Sequence, residues 1–256
     1  MEDVKFNYSG KNFIVVGASS GMGKKIALEL SQAGANVLCL ARRVEIMEEM
    51  KSEQGAGKII PAFVDVTVAQ PKDWDAVIKN FVTEYGKING GVYTAGIGGL
   101  TVLRQWNDEL AKKIMDTSYW GMLRFVQSAT KKRFINDGSA FVVFSSIAAS
   151  LGEQGQLIYS SAKSAVSASV KVIAKEISNN SHRINSISPG WVNTEMNNDA
   201  ETAEWGIKER RKNRYWLGEG TAEKVSGMVL FLLSSRADWI TGTDIIIDGG
   251  QFLGDI

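Results

Sequence analysis

One histidine, one cysteine and three prolines in 256 residues leave little material for several kinds of chemistry. A histidine-based triad or a His/Cys metal cluster needs side chains that this chain scarcely has, so metal ligation is not expected. The single histidine, His182, lies in the polar turn "NNSHR" and reads as a surface residue. The lone cysteine, Cys39, has no intrachain disulfide partner and sits in the apolar run "NVLCLA" as a core residue, a usage that suits a reducing compartment. Basic and acidic side chains nearly balance, 29 against 28, so no overall field recruits nucleic acid or an anionic membrane. No apolar run reaches the length of a membrane span, and "MEDVKFNYSG" lacks the basic start and apolar centre of a signal peptide. We expect a cytoplasmic globular protein whose proton chemistry comes from Tyr, Lys, Asp or Glu.

What the chain does have is alternation. Seven short apolar runs read as strands: "NFIVVG", "NVLCLA", "KIIPAFVD", "GGVYTAG", "SAFVVFSS", "RINSISPG" and "TDIIIDGG". Helical patterns separate them, over 22–32, 44–53, 69–85, 108–134, 159–178 and 221–233. Nearly continuous apolar strands alternating with helices predict a doubly wound α/β fold, with a seven-stranded parallel sheet covered on both faces. No repeat, low-complexity tract or linker interrupts it, and residues 1–256 read as one domain.

The first strand runs into "GASSGMGKKIALEL", a glycine-rich turn that opens a helix. Gly17, Gly21 and Gly23 let the backbone approach a phosphate, and the helix N-terminus adds free N–H groups and the positive end of a dipole. The spacing is Gly-x3-Gly-x-Gly, and its place at the first β-α junction points to a dinucleotide. At the end of the second strand, where an acid would bind the ribose hydroxyls, stands Ala41, followed by Arg42 and Arg43. Either these arginines pair with a 2′-phosphate, which favours NADP(H) over NAD(H), or they are two solvated cations opening a helix.

In "YSSAK", Tyr159 and Lys163 stand four apart, a spacing that stacks them on one helix face about 5–6 Å apart at Cβ. An ammonium there favours the phenolate and lowers a pKa that otherwise sits near 10. Such a pair can move a proton near neutral pH.

Taken together these residues resemble the short-chain dehydrogenase/reductase family over nearly the whole chain. "VGASSGMG" resembles its cofactor loop with Val16 where Thr is usual, so the resemblance implies cofactor contacts from Gly17, Ser19, Ser20, Gly21, Met22 and Gly23. It assigns Asp65 and Val66 in "VDV" to the adenine of that cofactor. "TAG" resembles the end of an Asn-Asn-Ala-Gly stretch whose asparagines are here Tyr93 and Thr94, leaving Ala95 and Gly96 at the cofactor. Ser146 precedes Tyr159 by thirteen residues, the family's spacing for its catalytic serine, and "SPGWVNTEM" puts Pro189, Gly190, Val192 and Thr194 around the nicotinamide. "ITGTDIIIDGG" resembles the closing strand. The implied activity is hydride transfer between NADP(H) and a carbonyl or secondary alcohol, with a 3-oxoacyl thioester among the substrates. Tyr159 is then the general acid or base, Ser146 donates a hydrogen bond to the same oxygen, and Lys163 lowers the Tyr159 pKa and binds the nicotinamide ribose.

One family position differs: "DTSYWGML" has Ser118 where an Asn helps hold a water linking the Lys to solvent. Serine keeps the backbone part of that role, so a slowed enzyme is expected; a non-catalytic NADP-binding sensor or scaffold is the alternative. Residues 194–220 match the family's substrate lid, with Trp205, Tyr215 and Trp216 and a basic run from Lys208 to Arg214. That run is either a solvated helix face or a site for the phosphate of a carrier- or coenzyme A-linked substrate. Trp106, Trp120 and Trp191 are further candidates near the pocket or in the core. Val166, Val170, Ile173 and Ile177 suggest more apolar surface than one sheet face absorbs, and the family pairs the two long helices across a two-fold axis, so a homo-oligomer, dimer or tetramer, is expected.

Overall fold

A computed structural model describes residues 4–194 and 216–254. All seven expected strands form: β1 (Asn12–Val16), β2 (Asn36–Ala41), β3 (Lys58–Phe63), β4 (Ile88–Tyr93), β5 (Ile135–Phe144), β6 (Arg183–Pro189) and β7 (Asp244–Ile247). They make one parallel sheet in the order β3-β2-β1-β4-β5-β6-β7. The helices in the described residues are α1 (Gly21–Gln32), α2 (Val44–Glu49), α3 (Pro71–Tyr85), α4 (Asp108–Met115), α5 (Gly121–Ala129), α6 (Ala148–Leu151), α7 (Leu157–Ile177) and α8 (Ala222–Leu233).

Alternate residues of each strand enter separate cores. Phe13 and Val15 of β1, Val37 and Cys39 of β2, and Val142 and Phe144 of β5 pack with Ile26 and Leu30 of α1 and Val225 and Val229 of α8. Ile14 and Val16, Leu38 and Leu40, and Phe141 and Val143 point the other way, against Trp74 and Ile78 of α3, Phe125 of α5 and Val166 of α7. A period of two along strands buried on both faces is why they read as unbroken apolar runs. The chain runs outward from β1 to β3 and then returns to β4 on the other side of β1. The order therefore reverses between β1 and β4, where open α/β sheets hold their ligands.

Three expectations need correction. The helical pattern over 108–134 is not one helix: a π-turn, Asp116–Trp120, separates α4 from α5, and α5 ends at Ala129. The Tyr93 hydroxyl donates to the Thr117 carbonyl at 2.6 Å and gives that oxygen a partner outside the helix ladder. His182 is buried, because a residue entering β6 already lies between its neighbours; burial lowers its pKa and the Asp137 carboxylate opposes that. A short helix, α6, follows Ser146, whose Oγ accepts the Ala148 N–H at 3.2 Å in its first turn. Finally, Val166 and Val170 are core residues, and Ile173 and Ile177 pack against that core rather than offering a free face. The apolar side chains exposed on these elements are Trp120, Leu157 and Val172.

Candidate active site

The glycine turn follows β1 directly. Gly17, at φ +86°, bends the chain so that its N–H donates to the Leu40 carbonyl at 2.8 Å. A Cβ on Gly17 would lie 2.6 Å from Thr94 Oγ1, and one on Gly23 would collide with the Gly17 carbonyl. Thr94 Oγ1 also donates to the Val16 carbonyl at 2.8 Å, tying the end of β4 to the turn. Ser20, the N-cap of α1, places no side-chain hydrogen bond on the first turn, so the helix end faces the cavity with its own N–H groups. A cradle that no side chain could occupy, at a helix N-terminus, is suited to a pyrophosphate.

The cavity, about 350 Å³, runs along the carboxyl edge of the sheet. Every cofactor residue expected from the sequence lines it: Gly17, Ser19, Ser20, Gly21, Met22, Gly23, Arg42, Arg43, Asp65, Val66, Ala95, Gly96, Tyr159, Lys163, Pro189, Gly190, Val192 and Thr194. At one end Arg43 donates to Ser19 Oγ at 3.3 Å. Burial raises the Asp65 pKa, but the Thr67 hydroxyl and N–H outweigh it, with help from the charges of Arg42 and Lys113, and the carboxyl stays below its ordinary value. Lys113 was not anticipated; it stands four residues before Thr117, whose hydroxyl donates to its carbonyl, and both line the cavity. Thr194 packs over the glycine turn, its Cγ2 3.3 Å from where a Cβ on Gly21 would sit.

At the centre, Ser146 stands just beyond β5, while Tyr159 and Lys163 lie on the first turns of α7. The Tyr159 phenol and the Ser146 hydroxyl line the same part of the cavity, and Ser146 favours the phenolate. Because Ser146 Oγ accepts from Ala148, its own proton remains to donate. Lys163 is buried; its Nζ donates to the Phe144 carbonyl at 2.8 Å and sits 5.7 Å from the centroid of the Tyr159 ring. Burial brings the Lys163 pKa down from 10.5 to about 8. The net shift of the phenol runs opposite to the expected one: burial raises the Tyr159 pKa above its ordinary value, and Ser146 opposes that rise.

Ser118 does not line the cavity. It is buried behind Gly96: a Cβ on that glycine would meet Lys163 Nζ at 3.3 Å and Ser118 Oγ at 3.6 Å. Among the described residues its hydroxyl has no hydrogen-bond partner, so none joins it to Lys163. Trp191 lines the cavity, whereas Trp106 and Trp120 are exposed elsewhere. Trp216 lies over Gly250 and its Nε1 donates to the Gly254 carbonyl at 3.3 Å. Trp205, Tyr215 and the run from Lys208 to Arg214 fall outside the described residues.

A family model described as enoyl-(acyl carrier protein) reductase matches residues 17–251. The chain belongs to the short-chain dehydrogenase/reductase family. Among curated relatives of this dehydrogenase/reductase, the 3-oxoacyl-(acyl-carrier-protein) reductase of Staphylococcus aureus is 29% identical over 245 residues, covering 95% of this chain and 98% of the relative. The enzyme of that name from Thermotoga maritima is 30% identical over 245 residues, covering 94% and 97%. A short-chain type dehydrogenase/reductase from Mycobacterium ulcerans superposes with a TM-score of 0.86 at 28% identity, covering 98% of this chain and 92% of the other. One from Mycobacterium marinum gives 0.85 at 30% identity, covering 96% and 97%. The family uses a nicotinamide dinucleotide, and the residues present fit one: a backbone cradle for the pyrophosphate and a hydroxyl pair with a buried ammonium at the other end.

Proposed function

We propose that this protein is an NADP(H)-dependent oxidoreductase that interconverts a carbonyl and a secondary alcohol, with a 3-oxoacyl thioester linked to a carrier or to coenzyme A as the leading substrate. The observation that carries the reading is the Ser146–Tyr159 hydroxyl pair beside the buried Lys163, in the same cavity as the glycine cradle. When bound, the dinucleotide supplies or accepts the hydride. Gly17, Ser19, Ser20, Gly21, Met22 and Gly23 hold its pyrophosphate, Asp65 and Val66 its adenine, and Ala95, Gly96, Pro189, Gly190, Val192 and Thr194 its nicotinamide side. Arg42 and Arg43, exposed at the end of β2, pair with a 2′-phosphate.

Tyr159 Oη gives its proton to the substrate oxygen in reduction and takes one in oxidation. Ser146 Oγ donates to the same oxygen and steadies its developing charge. Lys163 approaches the phenol from behind the ring, where its ammonium favours the phenolate as the proton leaves, and it binds the nicotinamide ribose. Ser118 retains only the backbone part of the water-holding role, since its hydroxyl makes no bond to Lys163.

We take residues 1–256 as one cytoplasmic domain with its lid at about 194–220, associating as a dimer or tetramer through α7, which carries exposed Leu157 and Val172, and the π-turn that carries Trp120. No helix among the described residues is long and apolar enough to cross a membrane. The reading is tested by following NADPH oxidation with acetoacetyl-coenzyme A in wild type and Tyr159→Phe. Loss of turnover in the variant with NADPH binding retained supports it; equal turnover overturns it. Tight NADPH binding with no turnover across a broad panel of ketones and alcohols would instead favour a sensor or scaffold.

A further inference from the structure

The loop after β4 and the turn before α7 line the same cavity, through Gly98, Gly99 and Leu100 of the first and Gly155 and Gln156 of the second. Thr101 joins them. It is 2% exposed, its N–H donates to the Gly155 carbonyl at 2.8 Å, and its backbone forms a parallel bridge with Gln156. Its Oγ1 accepts the Ile158 N–H at 3.1 Å. Ile158 is the second residue of α7, so its N–H is among those a helix cannot satisfy from its own ladder. Gln156, the N-cap, offers no side-chain bond to that turn; Thr101 supplies one from a distant part of the chain. The residue after Ile158 is Tyr159. Gly155, at φ +82°, makes the close approach possible: a Cβ there would lie 2.6 Å from Leu100 Cδ1.

We propose that Thr101 is a positioning residue for the proton donor: it caps the first turn of α7 from outside and couples the orientation of Tyr159 to the 98–101 loop. The proposal rests on the reading of Tyr159 as that donor. Without the Thr101 hydroxyl, the Ile158 N–H has no acceptor and the first turn of α7 loosens. Tyr159 then no longer holds its place against Ser146, and displacements of about 1 Å cost up to about a hundredfold in rate. A loop that responds to substrate would move the acid with it.

Thr101→Val keeps the shape of the side chain and the backbone bond to Gly155, and Thr101→Ser keeps the hydroxyl. In Thr101→Val, kcat for acetoacetyl-coenzyme A should fall about tenfold with the KM for NADPH unchanged, and Thr101→Ser should restore it. The second readout is the titration of the Tyr159 phenol, followed by NMR of ring-labelled tyrosine and assigned with Tyr159→Phe. Because burial is the main cause of its raised pKa, Thr101→Val should move it down toward the ordinary value of about 10, and Thr101→Ser should not. A wild-type Tyr159 titration in Thr101→Val, even in a protein that melts at lower temperature, would overturn the proposal. This titration needs no substrate, so it decides the coupling even if Tyr159→Phe retains turnover, the separate result that would remove the proton-donor reading.

Discussion

The phenol of Tyr93, at the end of β4, donates its hydrogen bond to the carbonyl of Thr117 in the π-turn, at 2.6 Å. Gly121 makes room for it, since a Cβ there would run into Tyr93 Oη and the Asp116 carbonyl. The two residues are mutually required. Gly121→Ala should destabilise the protein by about 1–3 kcal/mol through overpacking, and Tyr93→Phe by a similar amount through loss of a buried hydrogen bond. Chemical denaturation of the single and double variants should give less than the sum, with a coupling of at least about 0.5 kcal/mol. Strict additivity would mean the hydroxyl and the glycine do not meet.

Lys163 provides a pH signature. Its pKa is 10.5 in the ordinary state and about 8 in the fold, so the unfolded chain binds this proton more tightly than the folded one. Below about pH 8 the buried ammonium costs stability, and the cost is relieved as pH rises through the window from about 8 to 10.5. The slope for one such group is about 1.4 kcal/mol per pH unit. Wild type should therefore gain stability relative to Lys163→Met across that window, read from denaturant midpoints at its two ends. Parallel curves for the two proteins would refute it.

Cofactor choice rests on Ala41, Arg42 and Arg43. Arg42→Ala should weaken NADPH binding roughly ten- to a hundredfold, the equivalent of a charge-assisted contact of about 1.5–3 kcal/mol, and leave NADH binding almost unchanged. Ala41→Asp should act in the same direction by repelling the 2′-phosphate and accepting from ribose hydroxyls. Calorimetric titration of both cofactors decides it; equal wild-type affinities, unmoved by Arg42→Ala, would leave the arginines as a solvated helix start.

Association has a local test. Trp120, Leu157 and Val172 are apolar side chains left exposed on the π-turn and α7. Light scattering at micromolar concentration should give a dimer or larger mass, and Val172→Lys should lower it without lowering NADPH affinity. A clean monomer mass for wild type would sink the assembly.

Strand periodicity made the sheet and its two covered faces legible, because residues buried on both sides of a parallel sheet are mostly apolar, and such runs survive without context. Gly17 and Gly23 were legible for a related reason: the backbone needs glycine where a Cβ would strike the next segment. The spacing of Ser146, Tyr159 and Lys163 likewise named the residues that the sheet edge brings together. Tertiary structure decided the rest. The break at Asp116–Trp120 depends on a hydroxyl arriving from β4, the burial of His182 on its entry into the sheet, and the environment of Lys163 on the carbonyl of Phe144. Thr101 acts on Ile158 across 57 residues. Periodicity and local propensity report only neighbours along the chain, so contacts made by a single polar atom from a distant element leave no pattern in the sequence.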